Sequence, residues 1–419
     1  MPSTLPEGEP VPRSGELPAA ALSGRSASTG TDGTAGTGTA GAREFGVYLH
    51  VPFCASRCGY CDFNTYTPTE SGLDQGDYVS AALAEIALAR RVLDGAVGPV
   101  RTVFVGGGTP TLLPADDLAR LLEAVDDAWG LAEGAEVTTE ANPESVDPAS
   151  LLRLRTAGFT RISLGMQSTA AHVLRILDRR HTPGRAAAAA LEAREAGFEH
   201  VNLDLIYGTP GETADDFAAS LAAAVAAGVD HVSAYSLIVE DGTRLAARIR
   251  RGELPMPSDD VAADRYLAAE SALSGAGLEW YEVSNWARSE AARCRHNLLY
   301  WTGGDWWGIG PGAHSHVGGV RWWNVKRPAH YAKLLAAGKS PGAGRELLSD
   351  GDRYVEDVLL RMRLRSGYPL AGLRDEGPAA ALRALDDGLL EPGAYADGRA
   401  ELTLRGRLLA DAVIRELLT

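Results

Sequence analysis

From Phe45 to about residue 240, short apolar runs rich in β-branched residues alternate with longer Ala- and Leu-rich stretches, and this alternation confines the chain to a small set of folds. The candidate strands are "FGVYLHV" (45–51), "RTVFVGG" (101–107), "EVTTEANP" (136–143), "RISLGMQ" (161–167), "VNLDLIYG" (201–208) and "HVSAYSL" (231–237). Between them, polar residues at helical spacing mark helices at 77–94, 115–129, 148–157, 183–196 and 213–227. Repeated strand, helix, strand units make a parallel sheet with right-handed crossovers. Polar residues recur at the predicted strand ends (His50, Glu140, Gln167, Asp204), the edge where barrels and open α/β sheets build their sites. The expected fold class is therefore α/β, a barrel or partial barrel, with a doubly wound open sheet as the alternative.

The flanks read differently. Residues 1–42 are rich in Gly, Ser, Thr, Ala and Pro and are expected to be a disordered extension, since they offer little apolar surface to offset ordering. The core is expected over 43–290, because the alternation stops after "LEWYEVSNWA" (278–287). A His- and Trp-rich connecting region follows at 291–346. The last part, 347–419, reads as short helices with one β-ribbon, a small winged-helix-like domain whose acidic surroundings suit packing or docking rather than DNA.

A formal net charge of −15 argues against sequence-independent binding to nucleic acid or anionic lipid, which needs clustered Lys and Arg. Small molecules or proteins are the expected partners. Four cysteines in 419 residues make no disulfide framework, which fits a reducing cytoplasm. No run approaches the roughly 20 apolar residues of a membrane span, and the N-terminus lacks a basic region followed by an apolar core, so neither an integral membrane segment nor a signal peptide is expected.

Three of the cysteines stand together in "CASRCGYCDFN" (54–64), directly after the first strand. Thiolates at this spacing bind zinc or an iron–sulfur cluster. A structural zinc site closes with four ligands, so Cys54, Cys58 and Cys61 would need Cys294 or His296 to complete it. A cubane cluster held by three thiolates keeps one iron open for an exchangeable ligand. Further on, "VGGGTPTLL" (105–113) follows the second strand, and its glycines let backbone approach a ligand closely. Glu140, Gln167, Arg179 and Asp204 each lie at or just beyond a predicted strand end. Carboxylates and amides suit ribose hydroxyls there, and a guanidinium suits a carboxylate.

C-x3-C-x2-C after the first strand of a repeated βα chain, with Tyr60 before the last cysteine, resembles the radical S-adenosylmethionine (SAM) superfamily. That resemblance implies a (βα)6-type partial TIM barrel and a [4Fe-4S] cluster on Cys54, Cys58 and Cys61. It also implies SAM chelating the open iron, where an electron from the cluster cleaves the sulfonium to a 5′-deoxyadenosyl radical. Gly107, Gly108 and Thr109 resemble the motif that holds the SAM amino group. The settings "TEANPE", "GMQS", "LDRRHT" and "LDLIYGTPGET" around Glu140, Gln167, Arg179 and Asp204 resemble SAM-holding positions in one branch. Tyr48 and His50 in "VYLHVPFC" resemble that branch's residues beside the cluster.

The branch holds oxygen-independent coproporphyrinogen III dehydrogenases and their heme-chaperone relatives. The dehydrogenases carry a further cysteine two residues after the third, where this chain has Phe63, and an ordered N-terminal arm, where this chain has low-complexity sequence. "RHNLLYW" (295–301) instead resembles the H-N-x-x-Y-W motif associated with heme binding. The resemblance thus implies a chaperone that binds heme and passes it to acceptor proteins, rather than an enzyme that decarboxylates porphyrinogen propionates. A neutral imidazole is a common axial ligand to heme iron, and Tyr300 and Trp301 offer flat apolar surface beside it. His296 is the expected ligand, with His314 and His316 in "GAHSHV" as rivals.

Overall fold

The structure is a computed structural model and describes residues 8–23, 44–179 and 182–419. Six parallel strands form its centre: β1 (Phe45–Val51), β2 (Val100–Gly107), β3 (Leu131–Ala141), β4 (Arg161–Gln167), β5 (His200–Tyr207) and β6 (His231–Ser236). Helices cross back between successive strands. The expected strands fall on these six, and the expected helices fall on Gln75–Leu93, Ala115–Trp129, Pro148–Thr156, Arg185–Glu195 and Ala214–Ala226. A parallel strand covered on both faces is buried without alternation, and all seven residues of β4 are buried.

Local chemistry sets the crossovers. Asp74 caps the helix Gln75–Leu93 by accepting from the Asp77 N–H, and Arg90 and Arg91 face its negative end. Thr213 and Asp216 form a capping box at the start of Ala214–Ala226.

The sheet does not end at the six strands. It runs to twelve, because β7 (Glu279–Glu282) and β8 (Asn285–Ala287) add antiparallel beyond β6, and four more strands add beyond β1. Of these, β9 (Asp305–Ile309) is parallel to β1, while β10 (His314–Val317), β11 (Val320–Asn324) and β12 (Gly342–Leu347) are antiparallel to their neighbours. No pairing joins β12 to β7 among the described residues, so the barrel stays partial. The His- and Trp-rich stretch is thus folded into the main sheet rather than connecting two bodies.

The extension expected to be disordered over 1–42 departs from that expectation at 8–23. Glu9 bridges Arg345 through two backbone hydrogen bonds of 2.8 Å, Val11 packs against the main core, and Ala21 is buried. A few apolar residues and an unpaired strand edge suffice to dock this segment, a feature that its average composition hides. Positions 1–7 and 24–43 lie outside the described residues.

The C-terminal part has its own core, in which Val358, Met362, Tyr368, Leu390, Val413 and Leu417 meet under the helices Asp350–Arg361, Gly377–Asp386 and Ala410–Leu417. A two-stranded ribbon, Tyr368–Pro369 with Arg399–Ala400, completes it. That is the helical, winged-helix-like body expected from the sequence.

Candidate functional site

The cysteine loop leaves β1 at its C-terminal end and is anchored on several sides. The Cys54 N–H donates to the Tyr66 carbonyl (3.0 Å), and the Thr109 N–H donates to the Phe53 carbonyl (2.7 Å). The Gly59 N–H donates to the Leu177 carbonyl (3.1 Å), while the Gly59 carbonyl accepts from the Leu245 N–H (2.8 Å). Asn64 Nδ2 donates to the carbonyls of Pro311 (2.9 Å) and Lys326 (2.8 Å). These bonds come from backbone far away in sequence, so the loop's shape does not depend on its thiols. Cys54 is buried and Cys58 and Cys61 are half-buried. Burial pushes the Cys61 thiol up to about 11 and raises Cys54 as well, a strain that a bound metal would relieve by holding both as thiolates.

Around the loop, the other expected residues come together. His50 Nε2 donates to the Asn64 carbonyl (2.9 Å), which leaves Nδ1 to accept from the Tyr48 hydroxyl (3.1 Å). Burial lowers His50 to about 4, so its ring is neutral. Gly107 and Gly108 pass so close to β1 that side chains would not fit: a Cβ on Gly107 would meet His50 Cε1 at 2.6 Å, and one on Gly108 would meet the Phe53 carbonyl oxygen at 2.3 Å. The Gly107 N–H donates to Glu140 Oε2 (3.0 Å). Burial, and next the neighbouring Asp204, push the Glu140 carboxyl up to about 7.

Asp204 accepts from Ser163 Oγ (2.8 Å) and Asn202 Nδ2 (2.7 Å). Gln167 holds a left-handed backbone (φ 64°) at the irregular end of the β4–β5 register, an uncommon conformation for a non-glycine residue. Arg179 sends Nη1 to Cys58 Sγ (3.6 Å) and Nη2 to the Gly165 carbonyl (2.9 Å). Its buried Nε has no partner among the described residues. A buried guanidinium nitrogen without a partner, glycine backbone with no room for side chains, and three thiols in one loop suit a cluster with a small charged ligand beside it.

Asn202 and Ser163 were not singled out in the sequence, although Asn202 sits two residues before Asp204 and therefore on the same strand face. One prediction arises here. Gly108→Ala sets its Cβ against backbone that cannot turn away, so it is expected to cost about 1–3 kcal/mol and to lower iron content on reconstitution. A thermal midpoint and iron content equal to wild type would show that the glycine is not needed for this contact.

His296 lies elsewhere. It is 1% exposed, at the base of the barrel interior that Tyr48, Glu140, Asp204 and Tyr300 also line. Its Nδ1 shares a hydrogen bond with Thr102 Oγ1 (2.9 Å), its Nε2 shares one with the Tyr300 hydroxyl (2.8 Å), and the ring stacks on Phe104. Both nitrogens are occupied, and burial lowers the ring to about 4.

Cys294 does not reach the cysteine loop either. Its thiol is 3.7 Å from Glu136 Oε1, two residues before His296 at the N-cap of the same helix. Among the described residues, no three His, Cys, Asp or Glu side chains stand together as a site for a single metal ion. The floor's own organiser, the buried pair of Glu136 and Arg161 (3.1 Å), had escaped the sequence reading.

Comparison with known proteins places this geometry in a family. Residues 48–224 match the model of the radical SAM superfamily. The chain is 58% identical over 377 residues to a Mycobacterium tuberculosis protein named heme chaperone HemW, an alignment covering 90% of this chain and 95% of the relative. A Bacillus subtilis protein of the same name is 32% identical, with 77% and 84% covered. The solved structure of coproporphyrinogen III oxidase (HemN) from Escherichia coli, described as a radical SAM enzyme, superposes with a TM-score of 0.76 at 25% identity, over 90% of this chain and 91% of that one. The partial barrel, the cysteine loop at its C-terminal edge and these alignments together show that the chain belongs to the radical SAM superfamily, within the family of proteins named heme chaperone HemW.

Proposed function

We propose that this protein is a heme chaperone of the cytoplasm, which binds heme and hands it to acceptor proteins. The observation that carries the reading is the 58% identity to a protein of that name along 95% of its length. Phe63 supports it, since this side chain stands 58% exposed at the loop position where the dehydrogenases have a cysteine. No described helix is long and apolar enough to cross a membrane.

A [4Fe-4S] cluster on Cys54, Cys58 and Cys61, with SAM on its open iron, is part of the proposal. When bound, this pair supplies one-electron chemistry. The chain's own residues do the holding. Gly107, Gly108 and Thr109 present backbone, Arg179 presents a guanidinium nitrogen with no other described partner, and Glu140, Gln167 and Asp204 face the same region. Tyr48 and His50, hydrogen-bonded to each other, would flank the cluster from the end of the first strand.

Hemin titration of the cluster-reconstituted protein under anaerobic conditions, followed at the Soret band, tests the reading. Saturation near one heme per chain is expected. Absence of specific binding, together with SAM-dependent decarboxylation of coproporphyrinogen III, would replace it with the enzymatic alternative that the likeness to HemN favours.

A further inference from the structure

We infer that His316, rather than His296, supplies the axial nitrogen to heme iron, on an aromatic shelf where the barrel's inner face continues onto β9, β10 and β11. The inference rests on the heme-chaperone reading and names the ligand that reading needs.

The strand registers define the shelf. Trp306 lies beside Gly46 of β1, and a Cβ on Gly46 would meet Thr102 Oγ1, the atom that bonds His296, at 2.7 Å. Trp306 therefore projects on the barrel's inner side. On β10, residues alternate between half-buried His314 and His316 and buried Ser315 and Val317. His316 pairs with Trp306 on one side and Arg321 on the other, so it shares their face. Ring contacts link this face to the barrel floor: His296 to Tyr300 at 4.7 Å, Tyr300 to Trp306 at 4.6 Å, and Trp306 to His316 at 5.3 Å. The H-N-x-x-Y-W segment thus supports the shelf from beneath.

Three histidines compete for the iron, and their hydrogen bonds separate them. His296 is buried and has both ring nitrogens engaged, so binding iron would require opening the floor. The ring of His314 is stacked on Trp323 (6.1 Å), and the N-terminal segment lies against that same indole, where a Cβ on Gly8 would be 2.6 Å from Trp323 Cη2. His316 differs from both. Its Nδ1 donates to the Gly304 carbonyl (2.9 Å), with Asp305 Oδ1 3.7 Å away, so the neutral ring carries its lone pair on Nε2. That nitrogen has no hydrogen bond among the described residues and is not one of the buried partnerless atoms. A second ring nitrogen held by a backbone carbonyl is the arrangement that orients metal-binding histidines and raises their basicity. The helix Asp350–Arg361 reaches the same strand through Glu356, which accepts from Arg321 beside His316.

The test is a hemin titration of wild type, His316→Ala, His314→Ala and His296→Gln, with far-ultraviolet circular dichroism confirming that each is folded. His316→Ala is expected to shift the Soret band and to weaken binding at least about tenfold, and added imidazole is expected to restore the band. The other two variants keep the wild-type band. A wild-type spectrum and affinity in folded His316→Ala overturn the assignment, as does a loss that imidazole fails to restore. Failure of the wild-type protein itself to bind heme would instead sink the chaperone reading on which the assignment rests.

Discussion

Cys58→Ser, purified and reconstituted without oxygen, is expected to lose at least about nine-tenths of its iron and sulfide while keeping its fold, and Cys294→Ser is expected to keep both. The contrast follows from what holds each residue. The cysteine loop is shaped by backbone bonds at Cys54, Gly59 and Tyr66 and by the Asn64 side chain, none of which uses the Cys58 sulfur. Removing that sulfur takes away the proposed cluster ligand and a contact with Arg179, but little packing, since Cys58 is only half-buried. A serine hydroxyl is a hard, weakly acidic replacement that iron–sulfur clusters seldom accept. Cys294 is buried against Glu136, and burial pushes its thiol far above the ordinary range, so it stays a protonated, neutral group. Full iron in Cys58→Ser, or its loss in Cys294→Ser, would contradict the ligand assignment. Circular dichroism of the apo-proteins separates cluster loss from unfolding.

Much of this site was legible because it is built from short-range patterns. Strands β1 and β4 coincide with the expected segments residue for residue, since each is a short apolar-rich run bounded by turn and helix signals. The cysteine loop, the Gly107–Gly108 turn and the polar strand ends all sit where a strand stops, and those stops are marked locally. The region after residue 291 was not legible in the same way. Its strands β9 to β12 are only four to six residues long, too short to show a period, and β10 to β12 pair antiparallel toward the sheet's edge. Position alone distinguishes His296 from His316. Both stand among aromatic residues in the sequence, but Thr102 and Tyr300 close around the first, whereas the Gly304 carbonyl fixes only one nitrogen of the second. Such partners are assigned by the fold, and no local spacing encodes them.

The same dependence on distant partners makes Glu136→Ala the most damaging single change expected in the barrel. The Glu136 carboxylate accepts from Arg161 Nε (3.1 Å) and from the backbone N–H groups of Arg295 (3.1 Å) and His296 (3.0 Å). It therefore caps, from strand β3, a helix whose own N-cap residue, Cys294, provides no side-chain cap. Arg161 closes the arrangement by donating Nη2 to the carbonyls of Ala292 (2.7 Å) and Arg293 (3.0 Å). Both side chains are 2% exposed, so removing the carboxylate leaves a guanidinium buried without its counter-charge. A broken buried pair costs about 3–5 kcal/mol, against a total stability of roughly 5–15 kcal/mol for a domain.

The pair also sets a pH dependence. Burial pushes the Glu136 carboxyl up, but Arg161 and the two N–H groups outweigh it and hold the group below its ordinary value. A depressed carboxyl stabilises the fold above the unfolded-state value of about 4.3 and loses that contribution as pH falls through the folded value. The gap in thermal midpoint between wild-type and Glu136→Ala apo-proteins should thus be full at neutral pH and narrow in acid. The double variant Glu136→Ala, Arg161→Met should recover part of the loss, because the uncompensated charge goes with the arginine. A single variant as stable as wild type at neutral pH, or a double variant less stable than the single, would show that the floor of the barrel is held by packing and not by this pair.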